Sequence, residues 1–168
     1  MIQPDMEKST AQLIDRAIDI EKRAARLYGE FAKLFPKPPE LVDFWQDLVK
    51  DEGGHLKLLM DLKSQLNDKQ LAAPANLKIW NNITDAERLL SNNPASNIYT
   101  LDDAYELTHE LEFSEVNAVF LFLVQEYGID KKQLDFARDE IVQHQSKLIN
   151  FSRTFGDRLW RKGIFPSQ

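Results

Sequence analysis

Glu52 and His55 stand three residues apart inside a long helical pattern, a spacing that stacks two side chains on one face of an α-helix. That face is apolar. Leu48, Glu52, His55, Leu59 and Leu62 follow one another at steps of four, three, four and three, the stripe that turns toward a core. A carboxylate and an imidazole placed there need a partner or a cation, because burying an unpaired charge is costly. Carboxylate oxygens and imidazole nitrogens together suit iron, manganese or zinc. One such pair arises readily by chance, and a single core-facing histidine is more often structural than a ligand. The chemistry therefore depends on what other helices bring to the same level.

They bring more carboxylates. Glu21 interrupts the stripe Leu13, Ala17, Ala24, Tyr28, Phe31, Phe35, and Glu115 interrupts the stripe Leu107, Leu111, Ala118, Phe122, Gln125. Glu112 lies beside the second stripe, three residues before Glu115. Further on, Leu134, Ala137, Ile141, His144, Leu148 and Phe151 form a stripe that includes His144 and is flanked by Glu140. Clustered carboxylates in low dielectric raise one another's pKa or recruit a metal. The candidate metal ligands are thus Glu21, Glu52, His55, Glu112, Glu115, Glu140 and His144; no catalytic residue is assigned. Tyr28 is placed to hydrogen-bond a ligand carboxylate, against the plainer reading of aromatic core. Trp45 reads as packing and His109 as a surface or subunit-contact histidine. Asp51 is expected to face solvent, the alternative being a carboxylate that orients a metal-bound histidine.

Four long helices must position these groups, over about 9–35, 39–65, 101–127 and 131–155. Ser9 to Gln12 forms a capping box. Pro36 to Pro39 stops the first helix and opens the second, making an antiparallel hairpin. Thr100 to Asp103 and Asp130 to Gln133 open the third and fourth helices, and Gly128 is expected to end the third with a left-handed cap. Residues 67–100 lack a long pattern and read as a crossover, with a short helix near 85–91 opened by the capping box Thr84 to Glu87. The run Ala118 to Val124 is apolar all round, so it must be covered on two sides, by the crossover or by another subunit. Both hairpins carry Glu, two residues, Ala, three residues and an aromatic, as Glu21-Ala24-Tyr28 and as Glu115-Ala118-Phe122. Each hairpin then supplies a Glu and a His from its second helix. The expected fold is all-α, one domain over 1–168, with two antiparallel helical hairpins joined by a long crossover into a four-helix bundle.

At 168 residues, 43% apolar and 29% charged, the composition is that of an ordinary folded domain. The net charge of −6, with no basic stripe, argues against nucleic acid. No residue is cysteine, which excludes disulfides, thiolate metal sites, iron–sulfur clusters and a cysteine nucleophile. That fits a reducing compartment, and a cytoplasmic location is expected. The N-terminus shows neither a basic n-region nor an apolar h-region, and no apolar run is long enough to span a bilayer.

Glu21 to Tyr28, Glu52-Gly53-Gly54-His55, Glu112-Phe113-Ser114-Glu115 and the order of hairpins and crossover resemble the rubrerythrin branch of the ferritin-like superfamily, over roughly Leu13 to Phe151. The resemblance implies a ferritin-like bundle holding two iron ions, with manganese or zinc as alternatives. It also implies a non-haem di-iron oxidoreductase that reacts with peroxide or dioxygen. Glu112 takes the place of the extra helix-three glutamate that helps distinguish rubrerythrins from ferritins. Two features depart from the family pattern. Helix four should read Glu-x-x-His, yet Glu140 is followed at three by Gln143 and at four by His144, and on the core stripe Ile141, not Glu140, matches Glu52. A small rotation or a π-bulge would bring both Glu140 and His144 inward; otherwise one of them is not a ligand. The chain also lacks the cysteine-ligated iron domain common in peroxide-reducing rubrerythrins, so electrons would come from a separate donor protein. A non-catalytic iron-binding or interaction protein with a partly degenerate site is the alternative, and a homodimer is possible in either case.

Overall fold

Ser9 opens the first helix as expected: its hydroxyl accepts from the Gln12 N–H while the Gln12 side chain accepts from the Ser9 N–H. The computed structural model describes residues 8–113, 115–128 and 130–161, without side chains at 115, 116 and 157–161. Among them the chain is all-helical, with no strand and one isolated bridge between Ser9 and Pro74. In chain order the helices are α1 (Thr10–Leu34), α2 (Pro39–Gln65), α3 (Asp68–Ala72), α4 (Leu77–Leu89), α5 (Leu101–Glu112), α6 (Glu115–Tyr127) and α7 (Lys131–Arg161), with a 3-10 turn at Pro94–Asn97. No helix is long and apolar enough to cross a membrane, among the described residues.

The α1–α2 hairpin follows its sequence pattern. Leu13, Ala17, Glu21, Ala24, Tyr28 and Phe31 are buried along α1, and Leu41, Trp45, Leu48, Glu52, His55, Leu59 and Leu62 along α2. Pro39 sits in the first turn of α2, where its missing N–H costs nothing. Trp45 does pack: its ring lies 5.0 Å from Phe31, 4.8 Å from Phe44 and 5.8 Å from Phe151.

The crossover is more helical than its sequence pattern predicts. Thr84 does not open a helix near 85–91. It lies inside α4, where its hydroxyl bonds back to the Trp80 carbonyl at 3.1 Å, the local alternative open to a mid-helix threonine. The true cap is Asn76, whose side chain accepts from the Ile79 N–H. Ile79, Ile83 and Ala86 form the buried stripe of α4, and α4 packs on α6 as well as on α1. The crossover is thus what covers the apolar run at Ala118 to Val124, in which Val119, Phe120, Leu123 and Val124 are buried and Ala118 is exposed. Arg16 pins α4 to α1 with two bonds to Glu87, at 2.8 and 2.6 Å, and stacks over Trp80.

The third long helix is not continuous. It breaks after Glu112, where Phe113 leaves helical geometry and the Asn117 side chain takes up the Glu112 carbonyl. The break shifts the buried face. Ala104, Thr108, Leu111 and Glu112 face inward on α5, then Asn117, Phe120, Leu123 and Val124 on α6. The expected stripe through Leu107, Ala118 and Gln125 is therefore wrong: Ala118 and Gln125 are exposed and Leu107 is only half-buried. Gly128 ends α6, but its backbone is not in the left-handed region. Space explains the glycine, since a Cβ would come within 2.2 Å of the Val124 carbonyl oxygen. Asp130 caps α7 through the Gln133 N–H. Ala137, His144, Leu148, Phe151 and Phe155 are buried along α7, and the helix continues past 155 to Arg161. By its aromatic residues the segment Trp160 to Pro166 reads in sequence as a tail packed on the bundle; of it, residues 162–166 lie outside the described residues.

Two consecutive glycines interrupt α2 beside the polar level, and a Cβ at either would meet nothing within 4 Å. Packing does not ask for glycine there. Gly53 is exposed, so Gly53→Ala should stabilise the fold by about 0.5–1 kcal/mol through helix propensity alone. A rise of about 1–4 °C in the thermal midpoint is the expected reading; a fall would show a constraint on α2 that the packing does not reveal.

Candidate metal centre

Five ionisable side chains from four helices meet in the core. Glu21, Glu52, His55, Glu112 and His144 are each at most 4% exposed. Three groups of ligand atoms lie within 4.8 Å of one another: Glu21 with Glu52 and His55; Glu52 with Glu112 and His144; and His55 with Glu140 and His144. Glu140, half-buried, approaches from the side of α7. The side chain of Glu115 lies outside the described residues. The carboxylate that α5 delivers to the centre is Glu112, carried inward one position before the helix break.

The contacts are directional. Tyr28 donates its hydroxyl to Glu112 Oε1 at 2.7 Å, as anticipated for a tyrosine beside a ligand carboxylate. His144 Nδ1 lies 2.9 Å from the other oxygen, Glu112 Oε2, and the Asn117 amide is 3.4 Å from the same atom. His144 Nε2 comes to 3.1 Å from Asp51 Oδ2, and Lys147 pairs with that aspartate oxygen. Asp51 therefore does not simply face solvent: it sits against the back of a candidate ligand, the place of a carboxylate that fixes a histidine's tautomer and orientation. His55 Nδ1 lies 3.3 Å from Glu52 and 3.6 Å from Glu21. The His55 ring stacks on Phe120 at 4.3 Å and lies 4.9 Å from the His144 ring. His109, by contrast, is exposed and stacks on Phe113 at 4.4 Å, away from the centre.

Charge is distributed so that the metal-free cluster nearly balances. Burial pushes Glu52 well above the usual carboxylate range, and the negative charges of Glu21 and Glu112 add to the push. Burial works to raise Glu21 too, but the neighbouring Glu52 carboxyl and His55 imidazole outweigh it and leave Glu21 ionised. Glu112 is likewise lowered, burial being overcome by His144, Tyr28 and Asn117. Both imidazoles move the other way. Burial works to lower them, yet Glu21 raises His55, and Asp51 with Glu112 raises His144 to about 10. Two carboxyls shifted toward their ionised form thus face two imidazoles shifted toward their protonated form, with Glu52 shifted toward its neutral form between them. Tyr28 is raised well above its ordinary value by burial and by Glu112, and stays a donor.

The donors fit a divalent cation. Both ring nitrogens of His55 and Nε2 of His144 are buried without a well-directed hydrogen bond among the described residues, although carboxylate oxygens lie close to each ring. Buried polar atoms are rarely left so, and nitrogen and carboxylate oxygen together suit iron, manganese or zinc. A void of about 10 Å³ adjoins Tyr28, Glu52, Glu112 and Asn117, walled by Ile20, Ala24, Leu90 and Leu111. That is the lower limit of space for one water molecule. Comparison with family profiles, with curated proteins and with solved structures finds no match to the chain.

Sequence spacing missed two members of this neighbourhood, Lys147 and Asn117, and offered the place of Asp51 only as the alternative to facing solvent. Asp51 and Lys147 meet only because α2 and α7 pack side by side, though Lys147 follows His144 by three residues and so shares its face. Asn117 was hidden by the phase shift at the break. Tyr28 offers the cleanest test of the network. Tyr28→Phe removes the donor and leaves a buried, ionised Glu112 short of one hydrogen bond, so the metal-free protein should lose about 1.5–3 kcal/mol in urea denaturation. An unchanged midpoint would mean that Glu112 does not need the hydroxyl.

Proposed function

We propose that this chain is a ferritin-like di-metal carboxylate protein of the rubrerythrin type, a non-haem di-iron oxidoreductase that reacts with peroxide or dioxygen. The observation that carries the reading is the position of Glu52, which belongs to two triads at once, with Glu21 and His55 on one side and with Glu112 and His144 on the other. In this reading Glu52 is the shared carboxylate, Glu21 and His55 complete the set for one ion, and Glu112 and His144 complete the set for the second. The α1–α2 hairpin and the hairpin of α5–α6 with α7 are taken as the two halves of a ferritin-like bundle, joined by the crossover through α3 and α4. A ferrous pair held there supplies the electrons that reduce the oxidant.

The chain's own residues do the rest. Tyr28 and Asn117 hold Glu112, and Asp51 with Lys147 holds His144. Phe120, Ile20 and Leu111 keep bulk water away from the ligands. The adjoining void, about 10 Å³, is at the lower limit for a single water molecule and has no room for an organic substrate. Without cysteine, the chain depends on a separate protein to return electrons, and a reducing compartment such as the cytoplasm suits it. Manganese or zinc would use the same donors.

A second reading, a non-catalytic iron-binding or interaction protein, is favoured by one observation. Helix α7 presents Ile141 where the first hairpin presents Glu52, and its own glutamate, Glu140, is only half-buried. Anaerobic titration with ferrous iron, followed by peroxide in a stopped-flow instrument, separates the two. The oxidoreductase should take up about two irons per chain and oxidise them with peroxide, and Glu52→Ala should hold at most one. Uptake should also release protons, because Glu52, His55 and His144 are shifted toward their protonated forms in the metal-free fold and must be deprotonated to ligate; affinity therefore rises with pH. Bound iron that peroxide leaves ferrous would support the second reading, and equal iron in wild type and Glu52→Ala would contradict a shared carboxylate.

A further inference from the structure

The third triad is chemically unlike the other two. His55, Glu140 and His144 bring one ligand atom each within 4.8 Å of one another, two imidazoles and a single carboxylate. That donor set holds one divalent metal ion and leaves the remaining coordination positions open, as in mononuclear ferrous sites. The two histidines are buried to within 1%, and both His55 nitrogens and His144 Nε2 have no well-directed hydrogen bond among the described residues. Glu140 is the half-buried member, so this triad alone reaches from the dry core toward solvent.

The nearest open surface is lined by chain neighbours of the triad and by none of its three members. A cleft of about 360 Å³ runs along the α2–α7 seam, lined by Gly54, Lys57 and Leu58 of α2 and by Gln133 and Phe136 of α7. Gly54 precedes His55, and Phe136 lies one helical turn before Glu140. The two glycines have no packing reason to be glycine, and in a helix they cost about 0.8–1 kcal/mol each relative to alanine. They do leave the α2 surface bare beside His55.

We propose that His55, Glu140 and His144 form a single-ion uptake site for a divalent transition metal, on the α7 side of the core and overlapping the two triads joined by Glu52 through the two histidines. Both histidines are shared, so an ion here gives them up when it moves inward; the two arrangements are filled in sequence. The inference rests on the buried cluster being a metal site, but not on two ions or on redox chemistry.

Cobalt(II) titration and stopped-flow capture test it, by absorbance, with circular dichroism to confirm folding. Wild type, Glu140→Gln, Glu52→Gln and the double variant are compared. Glu52→Gln should still bind one cobalt ion, and adding Glu140→Gln should weaken that binding by at least about tenfold, no less than loss of an outer-shell partner costs. Glu140→Gln alone should slow capture of the first ion and leave saturation unchanged. A wild type that binds one ion, lost in Glu140→Gln, would uphold this site and remove the two-ion reading. Two ions bound by Glu140→Gln at the wild-type rate and affinity would overturn this site and leave the two-ion reading standing. Failure of Glu52→Gln, or of the wild type, to bind any cobalt would overturn it as well.

Discussion

Three carboxyl groups and two imidazoles share one level of a core from which water is excluded, and the rest of the chain is arranged to tolerate that. The cost is large: an ion taken out of water carries an effective penalty of several kcal/mol even after relaxation. Two features offset it. The charges compensate in direction, His55 and His144 shifting toward protonation against Glu21 and Glu112 shifting toward ionisation, while Glu52 shifts toward its neutral form. Apolar residues lie on both sides of the polar level along each helix: Leu41, Trp45 and Leu48 before it on α2, Leu59 and Leu62 after it, each such side chain contributing about 1.5–3 kcal/mol by burial. A polar level whose imidazoles and Glu52 lean toward their protonated forms is one that a divalent cation enters by displacing protons.

The residues around the cluster are as specifically placed as the candidate ligands. Tyr28 and Asn117 fix Glu112, while Asp51, itself neutralised by Lys147, stands behind His144. Such partners set which nitrogen of a histidine carries its proton and where a carboxylate points. The break between α5 and α6 belongs to the same design: it turns Glu112 inward on one side and Asn117 inward on the other, where a continuous helix would have moved along a single stripe. Helix breaks of this kind recur beside functional sites.

Much of this was legible in the sequence wherever a helix is uninterrupted. Glu21, Glu52 and His55 each break an otherwise apolar stripe on a continuous helix, so periodicity alone placed them in the core, and His144 followed from the stripe of α7. The third helix misled because its buried face changes phase at Phe113, and no residue there announces a break as a proline would. Glu115 took the place on the expected stripe, and its side chain lies outside the described residues, while Glu112, read as standing beside the stripe, reaches the centre. The start of α4 was misplaced because Thr84 to Glu87 satisfies the capping pattern in sequence while Asn76 does the capping in space. Asp51 and Lys147 lay beyond any single-helix pattern, since their meeting depends on how two helices pack.

The central claim is that Glu52 is shared by two ions. Anomalous diffraction from crystals grown with ferrous iron or manganese under anaerobic conditions tests it most directly. Two anomalous peaks on either side of the Glu52 carboxylate, one among Glu21 and His55 and the other among Glu112 and His144, are the predicted result. A single peak that Glu52 does not touch, or metal bound only at the surface, would contradict the account.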